Sequence, residues 1–69
     1  MNDLLGALTE YERAIQLDKS DADVYCNLAS VLADLQRMEE SEENYLAALS
    51  IQERHPSALF NYALLLQDK

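Results

Sequence analysis

A chain of 69 residues has room for one small domain, and its 49% hydrophobic content places it among chains that fold rather than stay disordered. Thirteen acidic side chains against five basic ones leave a net charge of −8. That is the wrong sign for a nucleic-acid backbone or an anionic membrane surface, and it favours a neutral or basic protein partner.

One Gly and one Pro leave little material for hairpins, so the chain reads as helices joined by tight connections. The first helix is expected over 2–18, where Leu4, Ala7, Leu8, Tyr11, Ala14 and Ile15 recur at i, i+3, i+4, i+7 spacing and form one apolar stripe. Ser20-x-x-Asp23, just before Val24, has the spacing of a capping box with a carboxylate at N3. It predicts a second helix over 22–35, whose stripe is Tyr25, Leu28, Ala29, Leu32 and Leu35. The lone Cys26 on this helix excludes an internal disulfide or a cysteine-built metal cage and leans toward a reducing, cytoplasmic setting.

A third helix is expected over 38–53, with Met38, Tyr45, Ala48 and Leu49 as its apolar stripe. Glu39, Glu40, Glu42 and Glu43 suit the positive end of its dipole, and Arg54 and His55 the negative end. The run EESEE (39–43) reads as a solvated helix face, because a calcium site of the common kind needs a glycine-turned loop. His55 has no partner of ligand or nucleophile type in register, so it reads as a turn or dipole residue. Pro56 suits the first position of a fourth helix over 56–67, since its missing N–H is not needed there. That helix is apolar nearly all round, through Leu59, Phe60, Leu64, Leu65 and Leu66. Its longest apolar run, 58–66, is too short to span a bilayer.

The chain repeats itself at an offset of 34 residues without a gap. Asn27 and Ala29 are matched by Asn61 and Ala63, Tyr11 and Ala14 by Tyr45 and Ala48, and Leu32 and Asp34 by Leu66 and Asp68. Class-conserving pairs fill the intervals: Leu4 with Met38, Ala7 with Ser41, Tyr25 with Leu59. A 34-residue unit of two helices then shows a fixed order of large and small residues. Tyr25-x-x-Leu28-Ala29-x-x-Leu32 is followed by Ser41-x-x-x-Tyr45-x-x-Ala48. Partial copies precede it, as Ala7-x-x-x-Tyr11-x-x-Ala14, and follow it, as Leu59-x-x-Tyr62-Ala63-x-x-Leu66. This pattern resembles the tetratricopeptide repeat.

The resemblance implies an all-α solenoid of antiparallel helix pairs, a single unit over 1–69. In it, 2–18 is the second helix of one repeat, 22–53 a complete repeat, and 56–67 the first helix of another. Gln36 stands where the family has Gly between its helices, so a tighter or strained turn is expected there. A solenoid normally ends on a helix with a polar outer face, and 56–67 has none. A piece of a longer array, or a chain that covers this helix by self-association, is therefore expected.

For function, the resemblance implies non-catalytic binding of an extended peptide in a concave groove lined by the first helix of each repeat. Carried over by position, the groove holds Asp23, Asn27, Ser30 and Asp34, then Phe60, Asn61 and Leu64, with Cys26, Ser57 and Asp68 beside them. An amide can pair with both the N–H and the C=O of a peptide backbone. Asn27 and Asn61 are thus similar to rungs of the asparagine ladder in O-linked N-acetylglucosamine transferases. The alternative is that these asparagines pair within the array. A clamp for a C-terminal carboxylate is excluded, since Ser57 and Asn61 stand where it needs basic residues. No cofactor site, metal site or catalytic set can be assembled. Two other roles stay open: a structural spacer or assembly arm, and the substrate-presenting arm of a larger enzyme such as a glycosyltransferase.

Overall fold

The computed structural model describes residues 3–67, in which four helices follow one another: α1 Leu4–Leu17, α2 Ala22–Asp34, α3 Met38–Ile51 and α4 Pro56–Gln67. Each lies within its expected span. The expected first helix begins at Asn2, and the groove position Asp68 follows α4; both lie outside the described residues.

The helix ends are set by short polar side chains, not always the expected ones. Asp3 caps α1, accepting a hydrogen bond from the Gly6 N–H at 2.8 Å. A side chain at Gly6 would run into that carboxylate. At α2 the expected capping box does not form. Asp21 is the N-cap and accepts from the Asp23 N–H at 3.0 Å. Ser20 instead turns back, donating its N–H and hydroxyl to the Asp18 carboxylate at 2.9 and 2.6 Å. These two bonds hold Asp18 below the usual carboxylate range, the hydroxyl contributing most. Asp21 wins because an Asx side chain bonding two residues on starts the helix one residue later than Ser20 would.

The α2–α3 turn closes as a Schellman motif. The Arg37 N–H reaches the Leu32 carbonyl at 2.9 Å and the Gln36 N–H reaches Ala33 at 3.0 Å. This geometry requires a left-handed residue, and Gln36 takes it with φ of 66°. The strain expected from its replacing glycine is thus present in the backbone. Arg37 makes no side-chain cap; its guanidinium grips Glu40 in two bonds of 3.0 and 2.8 Å. Glu39 and Glu40 occupy the first turn of α3, as its dipole favours.

α2 is the central helix: it packs against α1, α3 and α4, whereas α1 touches only α2. Accordingly α2 buries Ala22, Cys26, Leu28, Ala29, Val31 and Leu32. One core cluster joins Leu8 of α1 to Leu28, Val31 and Leu32, with Tyr11 and Ile15 packed beside them. A second joins Cys26 and Ala29 to Tyr45 and Ala48 of α3 and to Ala58 and Leu65 of α4. Ala29, Ser41, Ala48 and Ala58 are completely buried. Small residues at these crossings let helix backbones approach, while the tyrosines fill the space between them. The Tyr45 and Tyr62 rings lie 6.3 Å apart and tilted by 36°.

The EESEE run is not wholly the solvated face expected of it. Ser41 is completely buried and donates its hydroxyl to the Ala29 carbonyl at 2.6 Å. Glu42 is half-buried and accepts from the Tyr62 hydroxyl at 3.1 Å. Helical spacing explains this, since positions 41, 45 and 48 share the face that meets α2. Among the described residues no helix is long and apolar enough to cross a membrane.

Candidate functional site

The faces of α2 and α4 that point away from the core form one surface. On α2, Asn27, Ser30 and Asp34 stand at i, i+3 and i+7, which places them in a single exposed stripe. On α4, Asn61 and Leu64 occupy the corresponding stripe, one turn apart. Between the two helices lies a cleft of about 390 Å³ lined by Ser30, Asp34, Asn61 and Leu64, with Tyr45 of α3 and Leu65 contributing to its wall. Its far end is made by Gln36 and Met38 at the α2–α3 turn.

Four of the seven groove residues read from the sequence therefore meet in one cleft. Asn27 lies outside it, exposed on α2, and its side chain has no hydrogen-bond partner among the described residues. Phe60 is 65% exposed and also outside the cleft. Asp23 is engaged: its carboxylate accepts from the His55 Nε2 while remaining largely open to solvent.

The two asparagines differ in setting. Asn27 is solvent-facing, whereas Asn61 is half-buried and lies near the Cys26 thiol. Burial pushes the Cys26 thiol up, Asn61 opposes that rise, and nearby Asp23 adds to it. The thiol is thus neutral and packed, not a nucleophile. Burial likewise pushes the Tyr45 phenol up, and the nearby Ser30 hydroxyl opposes that rise. Among the described residues lining the cleft only Asp34 is charged. The site consequently offers one carboxylate, two amides in Asn61 and Gln36, two hydroxyls and an apolar wall.

His55 holds this surface in place, which its position in the sequence did not reveal. It was expected at the C-terminal end of the third helix, but α3 stops at Ile51. The His55 carbonyl instead accepts the first helical bond of α4, from Leu59, and its Nδ1 accepts from the Ala58 N–H at 3.0 Å. With Nδ1 accepting, the proton resides on Nε2 and is donated to Asp23 on α2. One buried imidazole therefore caps α4 and ties it to the start of α2. The available signal was Pro56: a residue just before a helix-opening proline occupies the N-cap position. Tyr45, Gln36, Met38 and Leu65 were also missed as cleft residues, because packing or turn positions had absorbed them.

Fold and surface together define a helical-repeat module: antiparallel helix pairs stacked so that alternate helices share one open face. Comparison with known proteins says which repeat it is. A TPR repeat profile matches residues 1–36 and a tetratricopeptide repeat profile matches residues 22–55, and the chain belongs to the tetratricopeptide repeat family. It is similar to the human protein O-mannosyl-transferase TMTC3, with 38% identity over 69 residues, covering 99% of this chain and 8% of that protein. The mouse protein of the same name is 40% identical over 68 residues, again across 99% of this chain and 7% of the relative. The chain thus spans less than a tenth of the length of these relatives. No solved structure matches it.

Proposed function

We propose that the chain is a non-catalytic module that holds an extended peptide across α2 and α4. The observation that carries this is the cleft, where Ser30, Asp34, Asn61 and Leu64 converge from two repeats beside the exposed amide of Asn27. Asn27 and Asn61 would pair with peptide backbone groups, Leu64 would take an apolar side chain, and Asp34 would receive a basic one. Phe60 and Asp23 lie at the margins of this path, where Phe60 offers further apolar area. The overall charge of −8 supports a neutral or basic peptide. The buried, unpaired Cys26 fits a reducing compartment such as the cytoplasm.

Fluorescence anisotropy with labelled extended peptides, matched in length and differing only in a central Lys or Gln, tests the reading. The Lys peptide should bind more tightly, and Asp34→Asn should erase the difference without abolishing binding. Equal binding of both peptides by the parent chain removes the role of Asp34. Binding untouched by Asn27→Ala, Asn61→Ala and Leu64→Ser together removes the groove.

A second reading is favoured by the likeness to an O-mannosyl-transferase: the module is part of a substrate-presenting arm of an enzyme of that kind. An O-linked transferase acts on a hydroxyl, so an arm serving it should retain unfolded segments rich in Ser or Thr. Preference for such segments over hydroxyl-free ones of equal charge supports the arm; indifference leaves a general peptide module.

A further inference from the structure

We infer that the basic side chain taken by the α2–α4 cleft is an arginine, its guanidinium spread between Asp34 and the amides of Gln36 and Asn61. Selection of arginine rests on the peptide reading of this cleft and adds the residue type to it. Two placements that are unfavourable for the fold carry it, and both line the cleft.

The first is Asp34. It is the last residue of α2, where a carboxylate meets the negative end of the helix dipole. Arg37, the nearest basic residue in sequence, does not compensate it, because its guanidinium is held by Glu40 in two bonds. Among the described residues the ion pairs are Arg37–Glu40 and His55–Asp23, so Asp34 has no cation of its own. Its field is felt in the cleft wall: burial is the larger cause of the raised Tyr45 phenol, and Asp34 adds to that rise. The second is Gln36, which takes φ of 66° at a turn where glycine would sit without strain. Glycine there would remove the amide that Gln36 brings to the far end of the cleft. Strain kept beside a cleft, next to a charge kept against a dipole, is the pattern of a binding position and not of a turn chosen for stability.

The acceptors around Asp34 suit a guanidinium better than an ammonium. Besides the carboxylate, the cleft offers the carbonyl oxygens of Gln36 and Asn61 and the hydroxyl of Ser30. A lysine ammonium is a compact, strongly hydrated point charge, and one exposed carboxylate holds it only weakly. A guanidinium spreads five N–H donors over a plane, so one edge can pair with Asp34 while another reaches an amide. Its faces are weakly hydrated, and Met38 and Leu64 give them an apolar wall.

Fluorescence anisotropy at fixed salt tests this with capped, extended peptides that are identical and uncharged apart from a central Arg, Lys, citrulline or Gln. The parent chain should bind the Arg peptide roughly tenfold more tightly than the Lys peptide, as one further charge-assisted hydrogen bond gives. Citrulline, which keeps the shape without the charge, should bind no better than Gln. Asp34→Asn should bring the Arg and Lys peptides down to the Gln peptide. Gln36→Gly should lower the Arg peptide toward the Lys peptide and leave the Lys peptide unchanged, while the thermal midpoint of the chain rises. Weaker binding by a more stable chain cannot come from misfolding. Equal binding of the Arg and Lys peptides, both above Gln, overturns the choice of arginine and leaves the peptide reading standing. An Arg preference untouched by Gln36→Gly also overturns it. Failure of every peptide to bind removes the peptide reading, and the arginine with it.

Discussion

Replacing His55 by Ala should be the most damaging single polar substitution in the chain, and its parts can be separated. The imidazole is 5% exposed, caps α4 through Ala58 and bonds Asp23 on α2. Loss of an N-cap costs about 1 kcal/mol. The bond to Asp23 adds less than about 1 kcal/mol, since that carboxylate is 76% exposed and water screens it. Emptying the buried ring site adds roughly 1–2 kcal/mol more. The sum, about 2–4 kcal/mol, corresponds to a fall in Tm of roughly 10–25 °C for a domain of this size. His55→Asn keeps a side-chain acceptor for Ala58 but is too short to reach Asp23, so it should fall about half as far. Asp23→Ala removes only the link and a favourable first-turn charge, and should cost about 1 kcal/mol or less. Thermal melts followed at 222 nm should order the variants as Asp23→Ala, His55→Asn, His55→Ala in falling Tm. A His55→Ala Tm within a few degrees of the parent, or a His55→Asn Tm as low as that of His55→Ala, would refute the capping role.

Other substitutions probe the turn, the crossing and the buried acids. Gln36→Gly should raise stability by about 0.5–1 kcal/mol, because the left-handed conformation at φ of 66° costs glycine little; urea midpoints report it, and a lowered midpoint contradicts it. Ala29→Leu should overpack the α2–α3 crossing and cost roughly 1–3 kcal/mol. Ser41→Ala should cost about 1 kcal/mol or less, as the repeat carries Ala7 at the same place and the Ala29 carbonyl retains its helical bond. Burial raises the Cys26 thiol and the Tyr45 phenol, so the unfolded chain ionises first as pH climbs. Their contribution to stability is complete below the ordinary values of about 8.5 and 10 and is lost as pH rises through the folded ones. The urea midpoint should therefore decline in alkali, and Cys26→Ala should delay the onset; a flat profile to high pH contradicts this.

Periodicity made the helices legible because each has to present one apolar stripe, and stripes such as Leu4–Ile15 are visible without tertiary information. The 34-residue offset went further, since it pairs small with small and aromatic with aromatic at the same crossings. What was illegible were choices between neighbouring polar groups of similar quality. Ser20 and Asp21 both cap well, and only backbone conformation shows that Asp21 does so while Ser20 bonds Asp18. Ser41 was legible from the repeat, where it is the small residue before Tyr45 and Ala48, although the acidic run around it reads as solvated. His55 looked partnerless because Asp23 lies 32 residues away and meets it only after α2 and α4 are laid side by side. In the candidate site, Ser30, Asp34, Asn61 and Leu64 were readable from repeat position. The wall supplied by Tyr45 was not, because a core residue can show one edge to a cleft.

The most direct test of the peptide-groove account is an amide-correlation NMR titration of the labelled chain with an extended, Lys-containing peptide. The account predicts saturable shifts in the side-chain amides of both Asn27 and Asn61, in the backbone amides of Ser30 and Asp34, and in the methyl groups of Leu64. The outer face of α1 should stay still. Shifts confined to other faces, or none at concentrations where the chain remains folded, would contradict it and leave the two asparagines as features of the repeat alone.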